Sequence, residues 1–146
     1  MTEELSLVVR NDWKVDCRPD PNDSDRETWE MILRVSYGRK IDVIVDSGSS
    51  ADEVIRSVFA KAIKEVAQVD LNGSMPRLFT DSIGLSKKGA GHVRSYAASA
   101  IGPKDSQSNE LMSFRAEHAS QHKALMLALQ KALAAQGIKI CLPFKK

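Results

Sequence analysis

Ile41-Asp42-Val43-Ile44-Val45-Asp46-Ser47-Gly48-Ser49-Ser50-Ala51-Asp52-Glu53-Val54-Ile55-Arg56-Ser57-Val58-Phe59 is the stretch in which the apolar period changes, and that change decides the fold class. Before it, Ile41, Val43 and Val45 alternate with other residues, the period-two mark of a half-buried strand. After it, Val54, Ile55, Val58, Phe59, Ala62, Ile63 and Val66 fall on one stripe at helical spacing, with Arg56, Lys61, Lys64 and Glu65 on the other side. Ser50 is placed to cap this helix, and Glu53, three residues on, completes a capping box. A strand therefore runs directly into an amphipathic helix.

Working back toward the N-terminus, the alternation continues. Leu5, Leu7 and Val9 form one set, Trp13, Val15 and Cys17 a second, and Trp29, Met31, Leu33, Val35 and Tyr37 a third. All are odd-numbered, so each strand offers one apolar face. Pairing Val35 and Val43 on the same face requires residue numbers that sum to an even value. This predicts a three-residue loop, Gly38 to Lys40, with Leu33 opposite Val45. Pro19, Asp20, Pro21, Asp23 and Asp25 mark an exposed turn between Arg18 and Arg26.

Working forward, the pattern weakens from Asp70 to Gln107. Glycines at 73, 84, 89, 91 and 102 interrupt any period and large apolar residues are sparse, which predicts a long basic glycine-containing loop at about 70–107 with at most one short element near His92 to Ala100. A long helix is expected from Ser108 to Gln136, rich in Ala, Leu, Lys and Gln, with Gly137 as its C′ residue. Ile138, Ile140 and Leu142 read as a last strand. Ala124 to Leu129 is apolar all round, so it packs either between the sheet and the first helix or on another subunit. The expected fold is α+β. A three- to four-stranded antiparallel meander is covered on one face by two helices, in the order ββ(β)α-loop-αβ, within a single domain spanning 1–146. A meander followed by a helix resembles β-grasp modules in outline, and that resemblance implies architecture only.

Composition narrows the class of function. The chain has 146 residues, 27% of them charged and 42% hydrophobic, enough for a core without metal or disulfide staples. Cys17 and Cys141 are neither a close pair nor part of a metal-type cluster, and read as buried thiols in a reducing compartment. The acidic start Met1-Thr2-Glu3-Glu4 is unlike a signal peptide, and the longest apolar run is too short to span a bilayer, so a cytoplasmic protein without a membrane partner is expected. The net charge of +2 is unevenly spread. Residues 1–30 hold nine acidic and four basic side chains, whereas residues 31–146 hold ten and seventeen, which points to a polyanionic partner for the larger part.

Three constellations carry candidate chemistry. Between Arg77 and Lys104, the basic residues Arg77, Lys87, Lys88, Arg94 and Lys104 face a single acid, Asp81, with Phe79, His92 and Tyr96 among them. Small residues let a backbone approach phosphate, Lys and Arg neutralise it, and an aromatic ring can stack on an unpaired base. Arg115 and Lys123 on the expected second helix extend this set. The leading expectation is a small non-enzymatic binding protein that contacts the backbone of single-stranded or duplex nucleic acid through the basic loop. The second constellation is His118 and His122, read as one helical turn apart on the long helix beside Glu117. Two such histidines can share a metal, but no third ligand is implied and no metal or other cofactor is expected. The third is Ile44-Val45-Asp46-Ser47-Gly48-Ser49-Ser50. It resembles the catalytic Asp-Ser/Thr-Gly signature of aspartic proteases, which implies a dimeric retropepsin-like enzyme using Asp46. The same letters also read as a strand end, a turn and a helix cap. A further alternative is a protein-interaction or homo-oligomerising module built on the Leu125, Met126, Leu127 and Leu129 cluster.

Overall fold

The computed structural model describes residues 5–20, 22–71, 74–88, 91–105 and 107–144. Its elements are β1 (Leu5–Val9), β2 (Lys14–Asp20), β3 (Asp23–Tyr37), β4 (Lys40–Gly48), α1 (Ala51–Val66), β5 (Arg77–Lys88), β6 (Gly91–Lys104), β7 (Leu111–His118), α2 (Gln121–Ala134) and β8 (Ile138–Cys141). The fold is α+β, and a meander covered by helices is present as expected. The element order contains that unit twice: β2-β3-β4-α1 is followed by β5-β6-β7-α2.

The first sheet is organised around the long strand β3. β4 pairs along one side of it, while β2 and β1 share the other side, β2 against its first half and β1 against Ser36 and Val35. β8 joins parallel to β1, from Leu5↔Ile138 to Val8↔Cys141, so the last strand enters the first sheet. The second sheet is antiparallel in the order β5-β6-β7.

α1 starts as the sequence requires. The Ser50 side chain accepts from the Glu53 backbone N–H, and the returning Glu53 carboxylate accepts from the Ser49 N–H and hydroxyl instead of from the cap residue itself. A cap of this type stabilises a helix by about 1 kcal/mol. All seven residues of the stripe are buried against β3 and β4, where each large aliphatic side chain contributes roughly 1.5–3 kcal/mol.

Four expectations change. First, the long loop over 70–107 is largely a hairpin, β5 with β6. Its inward positions include Ala98 and Ala100, which carry too little apolar bulk to show as a strand signal but are fully buried under α2. Second, α2 begins at Gln121, capped by Ser120, because residues 111–118 form β7. Gly137 does adopt a positive φ, 82°, just past the helix. Third, the β3–β4 turn has two residues. Gly38 at φ 60° and Arg39 connect Tyr37↔Lys40, and Leu33 stands opposite Ile44, not Val45. Fourth, Cys17 is exposed rather than buried; both cysteines are free thiols.

α2 packs on β5, β6 and β7, and also touches β8 and α1. Enclosure on both sides explains its all-round apolar section: Ala124 to Leu129 are buried within this chain, Leu125 at 0% and Leu127 at 6% exposure. The surplus of apolar surface read into the Leu125, Met126, Leu127 and Leu129 cluster is therefore used internally. Residues of both sheets and both helices belong to one continuous core. No helix of the described residues is long and apolar enough to cross a membrane.

Candidate nucleic-acid interface

The second sheet has one face under α2 and one face open. Leu78 and Thr80 of β5, Ala98 and Ala100 of β6, and Ala116 of β7 point toward the helix, so alternation sends Arg77, Phe79 and Asp81, then Ala97, Ser99 and Ile101, then Ser113, Arg115 and Glu117 to the open side. The register aligns these residues in rows. Phe79 lies across from Ser99 and then Arg115; Arg77 from Ile101 and then Ser113; Asp81 from Ala97 and then Glu117.

Phe79 is 46% exposed, and the Arg77 guanidinium lies 6.0 Å from its ring centroid. An aromatic ring left in solvent beside a cation is an amphipathic contact surface, and the ring's π-face attracts the guanidinium. The small side chains of Ser99 and Ala97 leave the sheet low beside the ring. Arg115, two strands away at roughly 10 Å, pairs with Glu117 at 3.0 Å.

The edge of this platform opens into a cleft of about 380 Å³ between α1 and β5, lined by Ser50, Asp52, Glu53, Arg56, Arg77, Leu78 and Phe79. Arg56 is fixed there by bonds to the carbonyls of Pro76 at 2.8 Å and Met75 at 3.1 Å. Asp52 accepts from Thr80 Oγ1 at 2.7 Å, and Thr80 accepts in turn from Gln121 Nε2 at 3.2 Å. This chain ties the first turns of both helices to β5. Partial burial pushes the Asp52 carboxyl above its ordinary value, although the Thr80 hydrogen bond opposes the shift and nearby Asp81 adds to it.

Seven of the nine expected nucleic-acid residues fall into three groups on the second sheet. Arg77 and Arg115 share the open face on its two outer strands, Arg115 paired with Glu117. Lys87, Lys88, His92 and Arg94 lie along the far end of the same β5–β6 hairpin, with Lys87 opposite His92 and Leu85 opposite Arg94; their side chains lie outside the described residues. Lys104 is exposed at the other end of β6, opposite Leu111. Two residues go elsewhere. Tyr96 pairs with His118 and packs against the core on the covered face. Lys123 sits in the first turn of α2 with its ammonium 5.2 Å from the Phe144 ring. Phe79 is the residue whose exposure the sequence did not reveal, since a strand pattern alone does not tell which face of a second sheet is open.

The residues of the two remaining constellations make local contacts. Asp46 accepts from the Ser57 hydroxyl of α1 and from the Ser47 N–H, and its neighbour Lys61 is a cation. The Ser57 bond holds its carboxyl below the ordinary value, outweighing partial burial. His118 and His122 are not on one helix: His118 ends β7, and His122 lies in α2. His118 Nδ1 accepts from the Ser120 N–H at 2.9 Å, and His122 meets the Trp29 ring edge-on at 5.7 Å. Burial lowers the pKa of both rings. No group of three or more metal-holding side chains occurs among the described residues.

No protein-family model matches this chain, and a search of curated proteins finds no match.

Proposed function

We propose that this protein binds single-stranded nucleic acid, without catalysis, on the open face of the second sheet. The observation that carries the reading is Phe79: a half-exposed ring on a flat, small-residue strand surface, with Arg77 beside it. A base stacks on the ring, and Arg77 and Arg115 meet the adjoining phosphates. Lys87, Lys88 and Arg94, toward the far end of the β5–β6 hairpin, are further cations that a longer strand could reach. Stacking needs an unpaired base, which favours single strands over duplex. Base identity is read little, because phosphate contacts and stacking dominate.

Asp81 and Glu117 on the same face limit the affinity and leave it dependent on a few cations. Exchanging Phe79 for Ala removes about 1–3 kcal/mol, so the dissociation constant for a labelled oligonucleotide rises roughly 5- to 150-fold. Phe79 is an exposed side chain, so the variant keeps its fold. Equal affinity of the wild type and Phe79→Ala would remove the stacking platform from the account.

A further inference from the structure

The cleft beside Phe79 holds two opposite charges one helical turn apart. Asp52 and Arg56 stand four residues apart on α1, so they leave the same face of the helix, with Cβ atoms about 5–6 Å from each other. Each is drawn to β5 or the chain leading into it instead of to the other. Asp52 Oδ1 accepts from Thr80 Oγ1 at 2.7 Å, and Arg56 donates from Nε to the Pro76 carbonyl at 2.8 Å and from Nη2 to the Met75 carbonyl at 3.1 Å. These bonds orient both groups without exhausting them. An ionised carboxylate has about four acceptor sites and a guanidinium five donors. The cleft they line measures about 380 Å³, within the range of pockets that take a small ligand, and Phe79 forms part of its wall.

We propose that this cleft recognises one guanine of a single strand, the neighbour of the base stacked on Phe79. The inference rests on the single-strand reading above and gives it a base preference. Guanine carries N1–H and N2–H side by side on its Watson–Crick edge, two donors for one carboxylate. On its other edge O6 and N7 are the pair that an arginine guanidinium meets with two parallel bonds. Asp52 supplies the carboxylate and Arg56 the guanidinium, set on one helix face at the separation a planar base spans. The other bases match less well. Adenine and cytosine bring one amino group to the carboxylate with an acceptor beside it, and thymine or uracil brings a carbonyl oxygen on each side of N3–H.

The remaining lining residues have other tasks. The Glu53 carboxylate accepts from the Ser49 N–H and hydroxyl, and Ser50 caps α1, so Asp52 is the acceptor that faces a base. Arg77 lies beside the Phe79 ring, where the phosphate next to the stacked base passes. Elsewhere the strand lies over Ala97 and Ser99, which offer little to read, so one position carries the preference. A base-paired guanine has its N1–H and N2–H already engaged, so the cleft, like the ring, selects an unpaired strand.

The test is fluorescence anisotropy of the full chain with labelled oligothymidines of about 12 nucleotides, within the ~4–16 nucleotides of a single-strand site, each carrying one central guanine, adenine, cytosine or hypoxanthine. The guanine oligonucleotide is expected to bind roughly 5- to 150-fold more tightly than oligothymidine, and hypoxanthine, which lacks the N2 amino group, to fall between the two. Adenine and cytosine are expected near oligothymidine. In Asp52→Asn the amide oxygen still accepts from Thr80, but an amino group replaces the second acceptor, so the ratio of guanine to thymidine binding falls to about 1. Equal affinity of the wild type for all five oligonucleotides overturns the guanine site and leaves stacking on Phe79 standing. A guanine preference that survives in folded Asp52→Asn, verified by circular dichroism, removes it from this cleft. No binding of any oligonucleotide overturns both readings. If Asp52→Asn fails to fold, the oligonucleotide series on the wild type still decides.

Discussion

The two sheets each cover one face with core and leave the other open, yet the two open faces are chemically different. That of the first sheet carries Ile41, Val43, Val45, Val8 and Ile32 inside a rim of matched ion pairs. That of the second carries one aromatic ring, flanking arginines and mostly small side chains, and continues into a hairpin whose far end holds Lys87, Lys88 and Arg94. The first carries exposed branched aliphatic side chains, and Arg10 and Lys139 add cations to its three ion pairs. The second carries one exposed ring among small side chains, with Arg77 and Arg115 balanced by Asp81 and Glu117. Similar architecture thus carries two different surfaces, because sheet alternation gives each outer face its own composition.

The comparison is sharpened most by placing the same charge inside and outside. Leu127→Asp is expected to lower stability by at least ~3 kcal/mol, since the carboxylate enters a fully enclosed site, and denaturant melts should show loss of fold rather than a smaller folded species. Val43→Asp, on the open face, should leave stability within about 0.5 kcal/mol. Next in size is the stacking loss at Phe79. It belongs to the second sheet only, so Val43→Asp should bind oligonucleotide per chain as the wild type does.

A smaller, diagnostic effect concerns salt. Replacing Lys87, Lys88 and Arg94 together by Ala should weaken binding and flatten the slope of log affinity against log salt by about 2, given ~0.7 per phosphate contact for single strands. An unchanged slope would confine binding to the sheet face and exclude the hairpin.

The smallest effect lies beneath both faces, at the histidines where β7 meets α2. Burial lowers the pKa of His118 and His122, so below the ordinary histidine value of about 6.5 the unfolded chain takes protons that the folded chain refuses. Stability should therefore decline as pH falls through that value. His122→Phe, measured by thermal melts across the range, should reduce the decline.

Where local rules were unambiguous, the fold was legible in the sequence. α1 has one stripe and one cap; the stripe and Ser50 are where the spacing places them, while Glu53 returns to Ser49 and not to the cap residue. The strand pattern of β4 was ambiguous because Ile41, Val43, Ile44 and Val45 offer apolar side chains at both parities. The structure chooses Ile44 for the core and accommodates Asp46 on the α1 side through Ser57 and Lys61. β5, β6 and β7 were obscured for a different reason. α2 lies on an inner face with Ala98, Ala100 and Ala116, and residues that permit close helix approach carry little apolar signal. The strand formed by Leu111-Met112-Ser113-Phe114-Arg115-Ala116-Glu117-His118 also contains good helix formers, which drew the expected helix start back from Gln121 to Ser108. Of the candidate site, the cations at 77–104 were legible from charge. The exposure of Phe79 was not, because it depends on which face α2 covers.

The most direct measurement is the fluorescence anisotropy of labelled single-stranded DNA and RNA titrated with the wild type and with Phe79→Ala at several salt concentrations. The account predicts saturable binding by the wild type whose affinity falls with salt, and a roughly 5- to 150-fold weaker constant for the variant. No binding at low salt by folded protein, or equal constants for the two proteins, would contradict it.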